Sequence, residues 1–175
     1  MSGSTVETHG RDLILSIDHE YCRYRDYAER TFDQLSADQL AHVPGADGNS
    51  VAVLVWHIAG NLKSRFTDFL TTDGEKPWRE RESEFERRAV SHEQLRRKWD
   101  EGWSVLFEAL GQVSDADLAR RVTIRGETLA VHEALHRSLA HTASHVGQIV
   151  LLGKTMRGAE WKTLTIPRAG HRRES

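Results

Sequence analysis

The chain has 175 residues, 38% hydrophobic and 29% charged, which suits one domain with a real core and long solvated helical faces. With 24 basic against 26 acidic residues its net charge is −2, so it lacks the bulk positive field that would suggest nucleic-acid binding. No apolar run reaches the roughly 18 residues of a membrane span, no signal peptide is apparent, and the lone Cys22 excludes an internal disulfide, so a cytoplasmic protein is expected.

Residues 1–10 are small and polar and are expected to fray. From Arg11 to about Leu35, Leu13, Ile14, Ile17, Tyr21, Tyr24, Ala28 and Phe32 recur at three- and four-residue steps, which predicts an amphipathic helix. Cys22 lies inside that pattern and reads as a small buried residue. Ser36 opens a capping-box pattern, Ser-Ala-Asp-Gln, that predicts a short helical turn, and Pro44 to Asn49 form a breaker-rich loop. Ser50 caps a second long helix to about Thr71, with Val51, Leu54, Val55, Ile58, Leu62, Phe66 and Phe69 as its stripe. Residues 72–90 are dense in charge and contain Gly74 and Pro77, which predicts a long loop of the kind that often carries function.

Ser91-His92-Glu93-Gln94 is a second capping box and opens a third long helix to about Val113, with Leu95, Trp99, Trp103, Leu106 and Leu110 facing inward. Ser114 to Asp117 predict another short turn, and Val122-Thr123-Ile124 and Thr128-Leu129 around Arg125-Gly126-Glu127 predict a small hairpin. A fourth long helix runs from about Val131 to Leu152 and ends at Gly153. Residues 154–175 form a basic tail, with Pro167 and Gly170, that is expected to be irregular. Four long helices over residues 11–153 with one long crossover predict an all-α fold, a four-helix bundle.

Ten histidines remain to be placed. The fourth helix carries His132, His136, His141 and His145, two pairs at four-residue spacing. Four residues advance about 400°, a net of about 40°, so each pair shares a face and can grip one metal ion. Both pairs flank the apolar arc, and spacing does not choose between them. The second helix has one histidine, His57, at the edge of its buried face with Asn61 and Asp68 on the same flank. Three protein ligands and one exchangeable position is the pattern of catalytic sites. His9, His19, His42, His92 and His171 read as surface residues. Thr142 follows His141, so the His141/His145 pair lacks the glutamate of a zinc protease motif.

The segment His141-Thr-Ala-Ser-His145-Val-Gly147-Gln148-Ile149, taken with Trp56-His57-Ile58-Ala59-Gly60-Asn61-Leu62, resembles the DinB-like superfamily of DNA-damage-inducible four-helix bundles. The run through Phe69-Leu70-Thr71-Thr72-Asp73-Gly74-Glu75-Lys76 and Glu84-Phe85 resembles one branch of it, a domain of unknown function numbered 1572. The resemblance implies His57, His141 and His145 as ligands of a divalent metal, nickel or zinc, and leaves His132 and His136 as structural residues. It also implies a homodimer; a small-molecule substrate is expected, and the charge balance and lack of a long apolar run predict no nucleic-acid or membrane partner.

Better-known relatives imply a metal-dependent transferase that activates a low-molecular-weight thiol. Hydrolysis of a small ester or amide is the alternative, and a non-enzymatic, metal-stapled stress or interaction protein is the third reading. Asn61 and Gln148 are candidates for contacts behind the metal or with substrate. Glu75, Glu80, Glu82, Glu84 and Glu86 read as solvated charges, with a general base among them as the alternative. Arg79 and Arg81 read likewise, with bidentate binding of a substrate carboxylate as theirs.

Overall fold

A computed structural model describes residues 10–166; the expectations for the frayed N-terminus, for His9, and for the tail residues Pro167, Gly170 and His171 lie outside the described residues. The chain is mostly helical with one small two-stranded sheet. Helix α1 spans Asp12–Phe32 and buries Ile14, Tyr21 and Ala28, a seven-residue repeat that keeps one stripe inward. Leu13 lies one residue before the stripe position Ile14 and Cys22 one after Tyr21, each about 100° off it. Leu13 is 59% exposed and Cys22 is exposed, against the expectation of burial. The short α2, Ala37–Ala41, carries the full capping box of Ser36 and Gln39.

Helix α3 spans Val51–Phe66, and Ser50 Oγ accepts the Val53 N–H at its start. Almost every residue of α3 is buried, so it is covered on more than one side. It stops five residues short of the expected Thr71. Thr67 is extended and Asp68 takes a left-handed φ of 48°, which breaks the helix. Phe69 still packs on Phe66 at 5.1 Å between ring centroids, so burial continued the apolar pattern after the helix had ended. The long loop that follows contains one 3-10 turn, Glu82–Phe85, which docks on α3.

Helix α4, His92–Gln112, begins at the Ser91 capping box and buries Trp99 and Trp103 completely. Strands β1, Arg121–Ile124, and β2, Glu127–Ala130, pair antiparallel with Ile124 opposite Glu127. Their two-residue turn has φ of 55° at Arg125 and 75° at Gly126, the mirror-image geometry that fits strand twist. Helix α5, Val131–Arg157, runs through Gly153 and beyond the expected end at Leu152. Gly153 faces α1 instead of ending the helix: a Cβ there would lie 2.5 Å from Thr31 Cγ2. The helix ends at Gly158, whose φ is 53°. The segment that follows lies along α1, where Gln34 Oε1 accepts the Lys162 N–H at 2.7 Å.

The main contacts among the four long helices run from α1 to α4, α4 to α3, α3 to α5 and α5 back to α1. Helices α3 and α4 are in close contact, since a Cβ on Gly102 would lie 2.6 Å from the Ala59 Cα. Helix α1 meets α4 through Phe32 and Trp99 at 5.4 Å and meets α5 at Thr31 and Gly153. Helices α3 and α5 meet at the histidines.

Candidate metal centre

His57 lies on the buried face of α3 and is 5% exposed. Its orientation is fixed by the 3-10 turn in the long loop. Glu84 Oε2 lies 2.9 Å from His57 Nδ1. Arg79 grips the same carboxylate with two bonds, Nε to Oε1 at 2.8 Å and Nη2 to Oε2 at 2.9 Å. The side chains of Arg79 and Glu84 are 2% and 8% exposed, so this is a buried, fully paired ion pair. Burial pushes the Glu84 carboxyl upward, but the bonds from His57 and Arg79 outweigh it and hold it below its ordinary value. Glu84 is therefore ionised near neutrality and only accepts, which places a proton on His57 Nδ1 and leaves Nε2 to face the other histidines.

The carboxylate reaches this seat because Gly60 is bare. A Cβ on Gly60 would lie 2.1 Å from Glu84 Oε1. Glycine inside a helix costs about 1 kcal/mol relative to alanine, and here it makes room for the group that orients a histidine one turn earlier. Phe85 covers the His57 ring at 4.7 Å between centroids.

His141 and His145 come from α5, one turn apart, with ring centroids 4.5 Å from each other. His141 Nε2 stands 3.1 Å from His57 Nε2. The nitrogens that the three histidines offer all lie within 4.8 Å of one another. Gln148 Oε1 accepts from His145 Nδ1 at a long 3.4 Å, which leaves Nε2 of that ring to face the group. The other pair takes no part. His132 and His136 are exposed, and His132 Nδ1 bonds the Leu118 carbonyl at 2.9 Å, a loop contact. His92 is half-buried, not a free surface residue: its Nε2 bonds the Leu35 carbonyl at 2.8 Å. Asp68 is exposed beyond the end of α3 and does not flank the site.

The donor set fits one divalent ion. Two ligand nitrogens on a tetrahedral zinc are about 3.3 Å apart, given Zn–N distances of about 2.0–2.1 Å, close to the observed 3.1 Å. The two imidazoles of α5 are also held in the neutral, ligating form. Burial, then His145, His57 and the Arg79 and Arg65 cations, push His141 down to about 3. Burial and His57 lower His145, partly offset by the bond to Gln148. Among the described residues no fourth Cys, His, Asp or Glu joins the group.

A cleft of about 150 Å³ opens beside His57 and His141, and Asn61 lines it. Of the sequence candidates, the structure brings together His57, His141, His145, Asn61 and Gln148 around this point. Arg79 departs from the substrate-binding alternative, because both arms of its fork hold Glu84. Glu84 departs from the reading as a solvated charge. The mid-helix Gly60, three residues after His57, was the sequence signal that something approaches α3 closely there.

Residues 8–170 match the family described as Protein of unknown function (DUF1572). The chain belongs to this family. No curated protein and no solved structure gives a significant match. The DUF1572 match embraces α1 to α5, so both halves of the histidine cluster lie within it. No helix among the described residues is long and apolar enough to cross a membrane.

Proposed function

We propose that His57, His141 and His145 hold one divalent ion, nickel or zinc, and that this DUF1572 protein is a metal-dependent transferase using a low-molecular-weight thiol. The observation that carries the reading is the convergence of three imidazoles from two helices beside a cleft. The four long helices are read as a DinB-like four-helix bundle, and a cytoplasmic homodimer acting on a small molecule goes with that likeness.

When bound, the ion supplies Lewis acidity that lowers the pKa of a thiol near it. The protein does the rest. Glu84, clamped by Arg79, fixes the His57 tautomer and ring plane. Gln148 does the same for His145 more loosely. Asn61, buried at the cleft wall one turn after His57, supplies an amide to orient what enters. Phe85 shields the outer side of the His57 ring from water.

Hydrolysis is less well supported, because no Asp or Glu lines the cleft among the described residues and both Glu84 oxygens are already bonded. A purely structural staple would close its fourth position with a protein ligand, and the group offers three. The test is conjugation of monochlorobimane to a panel of low-molecular-weight thiols by metal-loaded protein. Turnover that a chelator abolishes and added metal restores is expected. Absence of metal-dependent conjugation with every thiol overturns the transferase reading.

A further inference from the structure

The cleft beside the histidines is unusually rich in one side chain. Arg65, Arg79, Arg81, Arg125 and Arg137 all line it, and no acidic residue does among the described residues. Two of the five are tied down. Arg79 is held by Glu84, and Arg65 bonds the Gly74 carbonyl and Glu75 with only 11% of its side chain exposed. The other three stand at the rim, between 46% and 56% exposed. Each has a single acidic partner, itself partly or well exposed: Glu82 for Arg81, Glu75 for Arg125, Glu127 for Arg137. Such exposed pairs hold their partners weakly, at about 0–1 kcal/mol, and leave the remaining N–H groups of each fork to a ligand.

Arg125 adds a second, independent observation. It takes the first left-handed position of the hairpin turn, with φ of 55°, where asparagine, aspartate or glycine is the usual choice. An ordinary L-residue there costs on the order of 1 kcal/mol. The strain is held by Asp73, whose two oxygens accept the Arg125 and Gly126 N–H groups at 2.9 Å each. Those bonds, with the Glu75 N–H first among them, keep the Asp73 carboxyl below its ordinary value. A braced, strained backbone that sets an arginine on the rim is what a binding site asks for. Phe66, Phe69, Ile124 and Ala134 also line the cleft and give it apolar surface.

We infer that this cleft binds a small organic oxyanion, with Arg81, Arg125 and Arg137 taking the carboxylate or phosphate and the apolar surface taking its carbon skeleton. This names the substrate class for the site proposed above and rests on that reading for where the reactive end lies, beside His57 and His141. The anion contact itself needs no metal. A guanidinium matches either oxyanion through paired N–H bonds, and its charge survives at every working pH.

The test is calorimetric titration of the full chain, first stripped by chelator and then zinc-loaded, with succinate, inorganic phosphate and the neutral succinamide. Binding of succinate or phosphate, and not of succinamide, is expected in both forms. Which anion binds more tightly separates a carboxylate ligand from a phosphorylated one. Arg137→Gln and Arg81→Gln, both at exposed positions, are each expected to weaken the anion by about 10-fold, with zinc affinity unchanged in a competition assay. Binding that these variants leave intact, succinamide binding as well as succinate, or no anion binding at all overturns the inference. Failure of the metal reading shows separately, as zinc affinity that His57→Ala does not alter.

Discussion

Helix α5 carries two His-x-x-x-His pairs of the same spacing, and only one of them meets a third histidine. His141 and His145 face α3, where His57 brings a third nitrogen within 4.8 Å. His132 and His136 sit about two and a half turns earlier, exposed, at 6.3 Å between ring centroids, with a loop carbonyl as the partner of one. The same local chemistry thus has two outcomes, decided by what the neighbouring helix presents. The difference extends behind the ligands. His57 has a carboxylate, itself held by an arginine, and an aromatic ring beside it, whereas the outer pair has solvent and one loop carbonyl.

The largest test of that contrast is to remove one member from each group. His57→Ala is expected to weaken zinc or nickel binding by at least about 100-fold in competition with a chromophoric chelator, beyond the roughly 10–100-fold of a residue behind the ligands. His132→Ala and His136→Ala are expected to leave it unchanged. A loss caused by the outer pair would overturn the assignment.

Next in size is the support behind His57. Glu84→Gln is expected to lower metal affinity by about 10–100-fold, because a neutral amide neither fixes the tautomer as firmly nor balances Arg79. The same variant leaves a buried arginine unpaired, a loss of about 3–5 kcal/mol in chemical unfolding when such a pair is broken outright. Metal affinity equal to the parent's would show that Glu84 only holds the loop.

Gly60→Ala probes the seat of that carboxylate. Alanine alone would favour the helix by about 1 kcal/mol. The added Cβ falls on Glu84 Oε1, however, so a net loss of about 1–2 kcal/mol is expected, as for other overpacked sites. A stabilised protein with normal metal binding would mean that the carboxylate relocates without cost.

A further effect is a pH slope in the metal-free protein. His141 titrates near 3 in the folded state and at its ordinary 6.5 when unfolded, so the unfolded chain takes up more protons between these values. Stability is therefore expected to be full above pH 6.5 and to fall as pH drops toward 3, with the lowered His145 acting in the same sense. The lowered Glu84 adds to the loss at the acid end. Urea unfolding across that range checks it, and His141→Gln should flatten the upper part of the slope. A profile that His141→Gln leaves as steep would place the cause elsewhere.

Much of the fold was legible because its signals are local. Apolar periodicity marked the four long helices, and the serines at 36, 50 and 91 marked three helix starts, since a cap is a bond between residues three apart. The spacing of His141 and His145 likewise determined that they share a face. What ended α3 at Phe66 and carried α5 through Gly153 was not local: one helix yields to a turn whose phenylalanine stays buried, and the other has its glycine pressed against Thr31. Only the tertiary structure decided which histidine pair has a partner, that Arg79 and Glu84 serve each other, and that five arginines from four separate stretches of chain face one cleft. Spacing along a chain fixes which side chains share a face of a helix, but the energy of a buried charge or an ion ligand depends on what lies across a gap of three ångströms, and that is set by packing.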